Sequence, residues 1–346
     1  MKNASLSIVP FDQLPEWDSF VESHSKGTIF HTSALIRTMR TTKRHSPFAH
    51  AAVDENGTIC AMLVAVKVST LGKWLDSISA RSIFYAEPIY VETSIGHQGI
   101  EKLLKHHDNY MRRRTLFAEV RPFFEPPTEE NPLITEKYAL IGYLNYELEL
   151  NRPEEQLFAG LDSKCRNNIR STMRLGLTVC EVEPTNEIDR FYAVVSESYR
   201  GSKVPLADRS LFESAFREMT SPLCRLFIVE YEGEVAAAAC FLAYKGRVVY
   251  WYAGAKRIKG VAAMAMLLWE AMTKYSKEGY KVFDFAGAGW EGEKYGPGKF
   301  KAKFGGVLTN FGRYRKVYSP WKLRFATSAY QIVRGWISPT PTSPST

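Results

Sequence analysis

The chain has 346 residues, 45% of them apolar, which is enough for two globular domains with real cores and excludes a disordered protein. Its formal net charge of +8 favours anionic partners, whether phosphates, nucleic acid or an anionic membrane. Five scattered cysteines, Cys60, Cys165, Cys180, Cys224 and Cys240, contain no C-x-x-C pair, which argues against a disulfide framework or a zinc site and suits a reducing compartment. The opening residues MKNASLSIVPFDQLPEW lack the apolar run of a secretory signal, and the most apolar stretches, 235–243 and 261–269, are too short to cross a bilayer. The expected location is cytoplasmic, with a peripheral membrane contact left open.

In chain order, His31 comes first, in Ile29-Phe30-His31-Thr32-Ser33, where Thr32 or Ser33 is placed to N-cap a following helix. Residues 48–68, FAHAAVDENGTICAMLVAVKV, read as a hairpin turning at Asp54–Gly57. A strand at 83–85, a helix over 99–114 and a strand at 116–120 follow, with His106 and His107 on the solvated face of the helix. Residues 122–132 hold four prolines and read as loop. A strand at 146–150 ends at Asn151-Arg152-Pro153, which places the junction between a first domain, 1–151, and a second, 152–318.

The second half repeats the pattern. A basic helix around 162–174 is followed by a strand at 177–182, helices at 187–199 and 210–219, and a three-strand meander from 226 to 253. Its first hairpin turns at Glu232-Gly233. A helix over 261–277, a strand at 281–285 and two strands within 307–318 complete it. The shared hairpin, strand, helix, strand order predicts a duplicated mixed α/β unit with largely antiparallel sheets. An amphipathic helix is expected within 319–337, packed back on the first domain or lying on a membrane surface, and 338–346, SPTPTSPST, reads as a disordered tail.

Three stretches carry candidate chemistry. Arg166, Arg170 and Arg174 fall at i, i+4 and i+8 beside Lys164, a guanidinium row that suits phosphate, with a solvated helix face as the plain alternative. Residues 283–306, FDFAGAGWEGEKYGPGKFKAKFGG, read as a buried strand, a glycine-rich loop and a short basic-aromatic helix, an arrangement that brings backbone close to a charged ligand. Arg257, Gly260 and Ala262 precede a helix, where backbone amides can hold a pyrophosphate. Tyr252, on the third strand of the meander, and Lys303 are taken as substrate-binding residues. All seven histidines lie in the first 107 residues, which argues against a histidine-based nucleophilic mechanism in the second half. No ligand cluster for a metal and no convincing general base are present.

The 283–306 stretch, together with 162–179, resembles the FemABX peptidoglycan-bridge aminoacyltransferases and their relatives in the GNAT superfamily, over roughly residues 155–318. The resemblance implies tandem GNAT-like domains. It places Lys301 near the transferring carbonyl, with Phe300 shaping the pocket; Lys301 and Lys303 as simple phosphate holders are the alternative. It also puts Arg200 near the diphosphate of a UDP-linked precursor, residues 202–209 in an acceptor-binding loop, and His31 in an F-H-T run that lines the interdomain cleft or caps a helix. Ala286 and Ala288 depart from the glycines common in the family. Arg257, Gly260 and Ala262 fit the R-x-x-G-x-A loop of CoA-binding GNAT enzymes, whereas FemABX enzymes take aminoacyl-tRNA, so the donor co-substrate is one of these two and no tightly bound cofactor is implied.

The function expected is aminoacyl or acyl transfer to an amine of a phosphorylated cell-envelope precursor of peptidoglycan type. tRNA is an optional partner and DNA is not expected. The alternatives are a CoA-dependent N-acyltransferase acting on a sugar or lipid amine in polysaccharide synthesis, and a non-catalytic GNAT-derived protein that binds tRNA or an anionic precursor.

Overall fold

The computed structural model describes residues 5–69, 76–127, 131–200, 206–293 and 295–325. Two mixed sheets dominate. The first follows the spatial order Ser7–Pro10, His45–Val53, Ile59–Val68, Arg81–Phe84, Phe117–Val120, Arg313–Val317, Ala139–Ile141, with Ile89–Tyr90 pairing beside Ile59–Val68. The second runs Val179–Val182, Cys224–Tyr231, Glu234–Tyr244, Arg247–Ala255, Val282–Trp290, Tyr143–Glu149, Val307–Thr309. Position by position the two orders correspond, and each sheet has one parallel pair, Arg81–Phe84 with Phe117–Val120 and Arg247–Ala255 with Val282–Trp290. The chain is therefore tandem mixed α/β.

The sixth strand of each sheet comes from the other half of the chain. Tyr143–Glu149 pairs antiparallel with Val282–Trp290, and Arg313–Val317 pairs antiparallel with Phe117–Val120. The sheets thus interchange strands across the boundaries expected at 151/152 and 318. Alternation identifies a strand but not its partner, so the sequence could not reveal this.

Burial explains the elements. Glu234–Tyr244 is buried along nearly its whole length, as a central strand covered on both faces should be. Helix Ala263–Lys277 covers one face of the second sheet, packing Trp269 and Tyr275 against Phe241, Phe283 and Phe285. The opposite face joins the first half: Phe191, Phe212 and Cys240 share one core with Ile29, Phe30 and Leu35. Helix Ser94–Met111 covers the first sheet with Ile100, Leu103, Leu104, His107, Asp108 and Met111, a single stripe at helical spacing.

That stripe corrects the expectation for His107, which is fully buried, while His106 is exposed. The stripe was hidden because His107 and Asp108 are polar. Nδ1 of His107 lies 3.3 Å from Asp108, and Nε2 lies 2.9 Å from the hydroxyl of Ser82. This is the order of a Ser-His-Asp triad, yet Ser82 is wholly buried within a strand, where no substrate carbonyl reaches it. The cluster is structural: Asp108 also accepts from the hydroxyls of Tyr138 and Tyr318 and from Lys316. Helical backbone starts again at Pro320, but the rest of the helix expected within 319–337, and the tail, lie outside the described residues.

Candidate active site

The parallel strands of the second sheet stay paired only as far as Val249 and Asp284 and then part. On one side of the gap, a bulge pairs Cys240 with Tyr252 and the adjacent Phe241 with Tyr250, which turns the two tyrosines to opposite faces of the sheet. On the other, Val282–Trp290 has register shifts between Asp284 and Gly287 and between Gly287 and Gly289. Ala286 there has φ +57°, the left-handed conformation glycine adopts easily. The carboxylate of Asp284 holds it, accepting from the Ala286 amide at 2.7 Å and from Asn145 at 2.8 Å. The alanine that departs from the family's glycine therefore takes up a glycine-like backbone.

Lys301 closes the floor of this gap. It ends the short helix Gly296–Lys301, and its Nζ donates to the carbonyls of Gly287 (2.9 Å) and Ala286 (3.3 Å), 5.8 Å from the Tyr250 ring centroid. An ammonium has three donors, so one N–H is left for a ligand in the gap. Burial lowers its pKa to about 8, with Asp284 resisting, so Lys301 is mainly cationic at neutral pH. Phe300 lies edge-on to Phe304, 5.2 Å between centroids, and fixes the helix on the core.

The turn after this helix ends at Gly305, φ +76°, where a Cβ would lie 2.6 Å from the Gly160 carbonyl oxygen. Gly305→Ala is expected to cost about 1–3 kcal/mol from the left-handed backbone and the clash, read as a lower denaturant midpoint with unchanged m-value.

The remaining expected residues fall in different places. Arg166 turns back and donates to the carbonyls of Ala159 and Leu161, so it ties down the preceding helix end and is not part of a free phosphate row. Arg170 is exposed and stacks over Phe158 at 5.0 Å, while Lys164 and Arg174 are also exposed. Lys303 fastens its carbonyl to the Asp162 amide at 2.8 Å. Arg200 is exposed and caps helix Pro184–Tyr199 beside Tyr199, whose ring lies 6.4 Å from that of Tyr252; residues 201–205 of the expected acceptor loop lie outside the described residues.

His31 is 1% exposed, with its pKa lowered to about 4 by burial. Its Nδ1 accepts from the Thr28 amide at 3.1 Å, and Nε2–H donates to the Glu87 carbonyl at 2.8 Å. With both nitrogens occupied it offers no atom to substrate, and Thr32 N-caps the next helix. Arg257 is exposed and Gly260 has φ +80°. The Ala262 amide donates to Thr172 at 2.9 Å, but helix Ala263–Lys277 has no capping side chain, which leaves its first-turn amides for an anion. Among the described residues no group of three or more potential metal ligands occurs, and no helix is long and apolar enough to cross a membrane.

Several site residues escaped the sequence reading. Tyr199 and Tyr250 have raised pKa values, Tyr199 to about 12, chiefly through burial. The run Tyr250-Trp251-Tyr252 was the available signal, since three large aromatics with two hydroxyls are unusual in a core strand.

Parting parallel strands, a capless helix between them in sequence and a buried lysine beside the gap make up a site of the acyltransferase type that the sequence resemblance led one to expect. A family model described as an acetyltransferase (GNAT) domain matches residues 163–297. Among solved structures, FemX aligns over 94% of this chain and 99% of its own, with TM-score 0.67 and 13% identity. L-PGS from Bacillus licheniformis aligns over 94% and 97%, with TM-score 0.56 and 13% identity. A tandem GNAT protein from the clavulanic acid biosynthesis pathway aligns over 91% and 99%, with TM-score 0.54 and 9% identity. At such identities these likenesses are of fold. No curated protein sequence matches the chain.

Proposed function

We propose that the chain transfers an aminoacyl or acyl group to an amine on a phosphorylated cell-envelope precursor, in the cytoplasm, with residues 152–318 as the catalytic unit. The observation that carries this reading is the Lys301 ammonium, held by two bulge carbonyls with one N–H left over the gap. Amine attack on a donor carbonyl builds negative charge on its oxygen. A fixed cation with a free donor stabilises that charge more in the transition state than in the ground state. The nitrogen forms the new bond to carbon, the donor's thiol or ester oxygen leaves with the electron pair, and the amine's proton passes to that leaving group or to water.

The fold shared with FemX and L-PGS supports an envelope acceptor, with aminoacyl-tRNA as donor. The capless helix behind Gly260 supports the second reading, an acyl-CoA donor with a sugar or lipid amine as acceptor. Thermal-shift titration with CoA, acetyl-CoA and a UDP-linked muropeptide, in wild type and Arg257→Ala, separates them. A rise in Tm with the UDP precursor alone favours the first reading. A rise with CoA that is lost in Arg257→Ala establishes the second and overturns the first. Turnover with either donor excludes a purely binding role.

A further inference from the structure

One face of the first sheet is unusual. Three neighbouring strands present Arg81, Glu119, Arg121, Arg313 and Arg315 toward the second half of the chain. Glu119, 2% exposed, accepts from Arg121 (3.1 Å), Arg313 (3.0 Å) and Arg315 (2.5 Å). Burial alone would raise its pKa, but the three arginines hold it down to about 2. One carboxylate therefore serves three guanidinium groups, with a fourth, that of Arg81, on the same face. Arg81 takes no part in these bonds: its Nε is buried without a hydrogen-bond partner, and its guanidinium has no ion pair among the described residues.

The surroundings are built for recognition. Arg313 stacks 3.4 Å from the Tyr143 ring centroid and 5.4 Å from that of Trp290, and Arg121 lies 5.4 Å over Tyr85. Tyr252 feels Tyr85, Arg121 and Arg81 electrostatically, which ties the cluster to the second domain's site. Burial first, and then Arg121, lower the pKa of Arg81, and those of Arg313 fall likewise to about 10. Half-buried cations in such excess are costly unless an anion joins them.

We propose that Arg81, Arg121 and Arg313 form an oxyanion subsite that anchors a phosphate or carboxylate of the acceptor in the cleft between the two halves. The assignment rests on the acyl-transfer reading for the word acceptor, but its test does not. Guanidinium forks match either oxyanion bidentately, and stacking on Tyr143 and Tyr85 presets two of them.

Calorimetric titration at low salt with inorganic pyrophosphate, and separately with glutarate, examines it in wild type, Arg81→Met and Arg257→Ala. One probe is expected to bind wild type, to weaken at least about tenfold in Arg81→Met, and to be unchanged in Arg257→Ala. Binding of pyrophosphate marks a phosphorylated acceptor, and binding of glutarate a carboxylate. The apo Tm of Arg81→Met should equal or exceed that of wild type, because no partner is orphaned. The subsite is refuted if neither probe binds, if Arg81→Met binds as wild type does, if only Arg257→Ala loses binding, or if Arg81→Met lowers the apo Tm.

Discussion

Lys301→Met is expected to lower kcat about 10²–10³-fold and to leave KM within about threefold, in a turnover assay with the donor that the thermal-shift titration selects. Methionine keeps the unbranched apolar stem up to one atom short of the ammonium and removes the charge and the donors. If Lys301 acts on the oxyanion, kcat and kcat/KM fall together. If it merely holds substrate phosphate, KM rises and kcat stays, which would overturn the role given to it here. The pH profile supplies a second reading. The cation is required, and burial has lowered its pKa to about 8, so the rate should be full below that pH and fall about tenfold per unit above it. Lys301→Arg, whatever activity it retains, should lose this alkaline limb because a guanidinium stays charged.

Asp108→Asn should destabilise the protein by about 3–5 kcal/mol, a fall in Tm of about 5–10 °C. The carboxylate is 5% exposed and gathers the Tyr138 hydroxyl at 2.8 Å, the Tyr318 hydroxyl at 2.6 Å, Lys316 and His107. An amide cannot replace its charge, so Lys316 is left half-buried beside a neutral group. Burial raises the Asp108 pKa, but the hydrogen bonds from His107, Lys316 and Tyr318 outweigh it and bring it to about 2. A folded-state pKa below the unfolded one adds stability that is fully present above about pH 4 and lost as pH falls towards 2. The gap in Tm between wild type and variant should therefore narrow over that window. A constant gap would show that packing, and not charge, accounts for the loss.

What could be read from the sequence was whatever is local along the chain. The glycine loop, Phe300 and Lys301 lie within about twenty residues, and their order alone carried the site. The tandem fold was legible because the two hairpins at 48–68 and 226–244 repeat both pattern and turn chemistry. Other features are invisible to local reading. Arg81, Arg121 and Arg313 are brought together by strands far apart in the chain, and each alone looks like a surface arginine. Arg166 showed the opposite error: correct helical spacing suggested a shared phosphate face, but its guanidinium found nearer acceptors in the backbone of residues 159 and 161. His107 was misread because a polar pair can continue an apolar stripe once its partners, Ser82 and Lys316, are in place.

The interchange of Tyr143–Glu149 and Arg313–Val317 between the sheets has a consequence for biosynthesis. A ribosome delivers the chain from its N-terminus, so when the earlier strands of the first sheet have paired, Phe117–Val120 still exposes an unpaired edge and Ala139–Ile141 has no strand to join. That edge must wait until residue 317 has emerged, nearly two hundred residues later, for the strand that covers it. During that interval the nascent first half is an open template for other chains, the situation in which holdase chaperones matter most. Conversely, once the last strand docks, neither half can leave without unzipping the other, so the finished protein should melt as one unit.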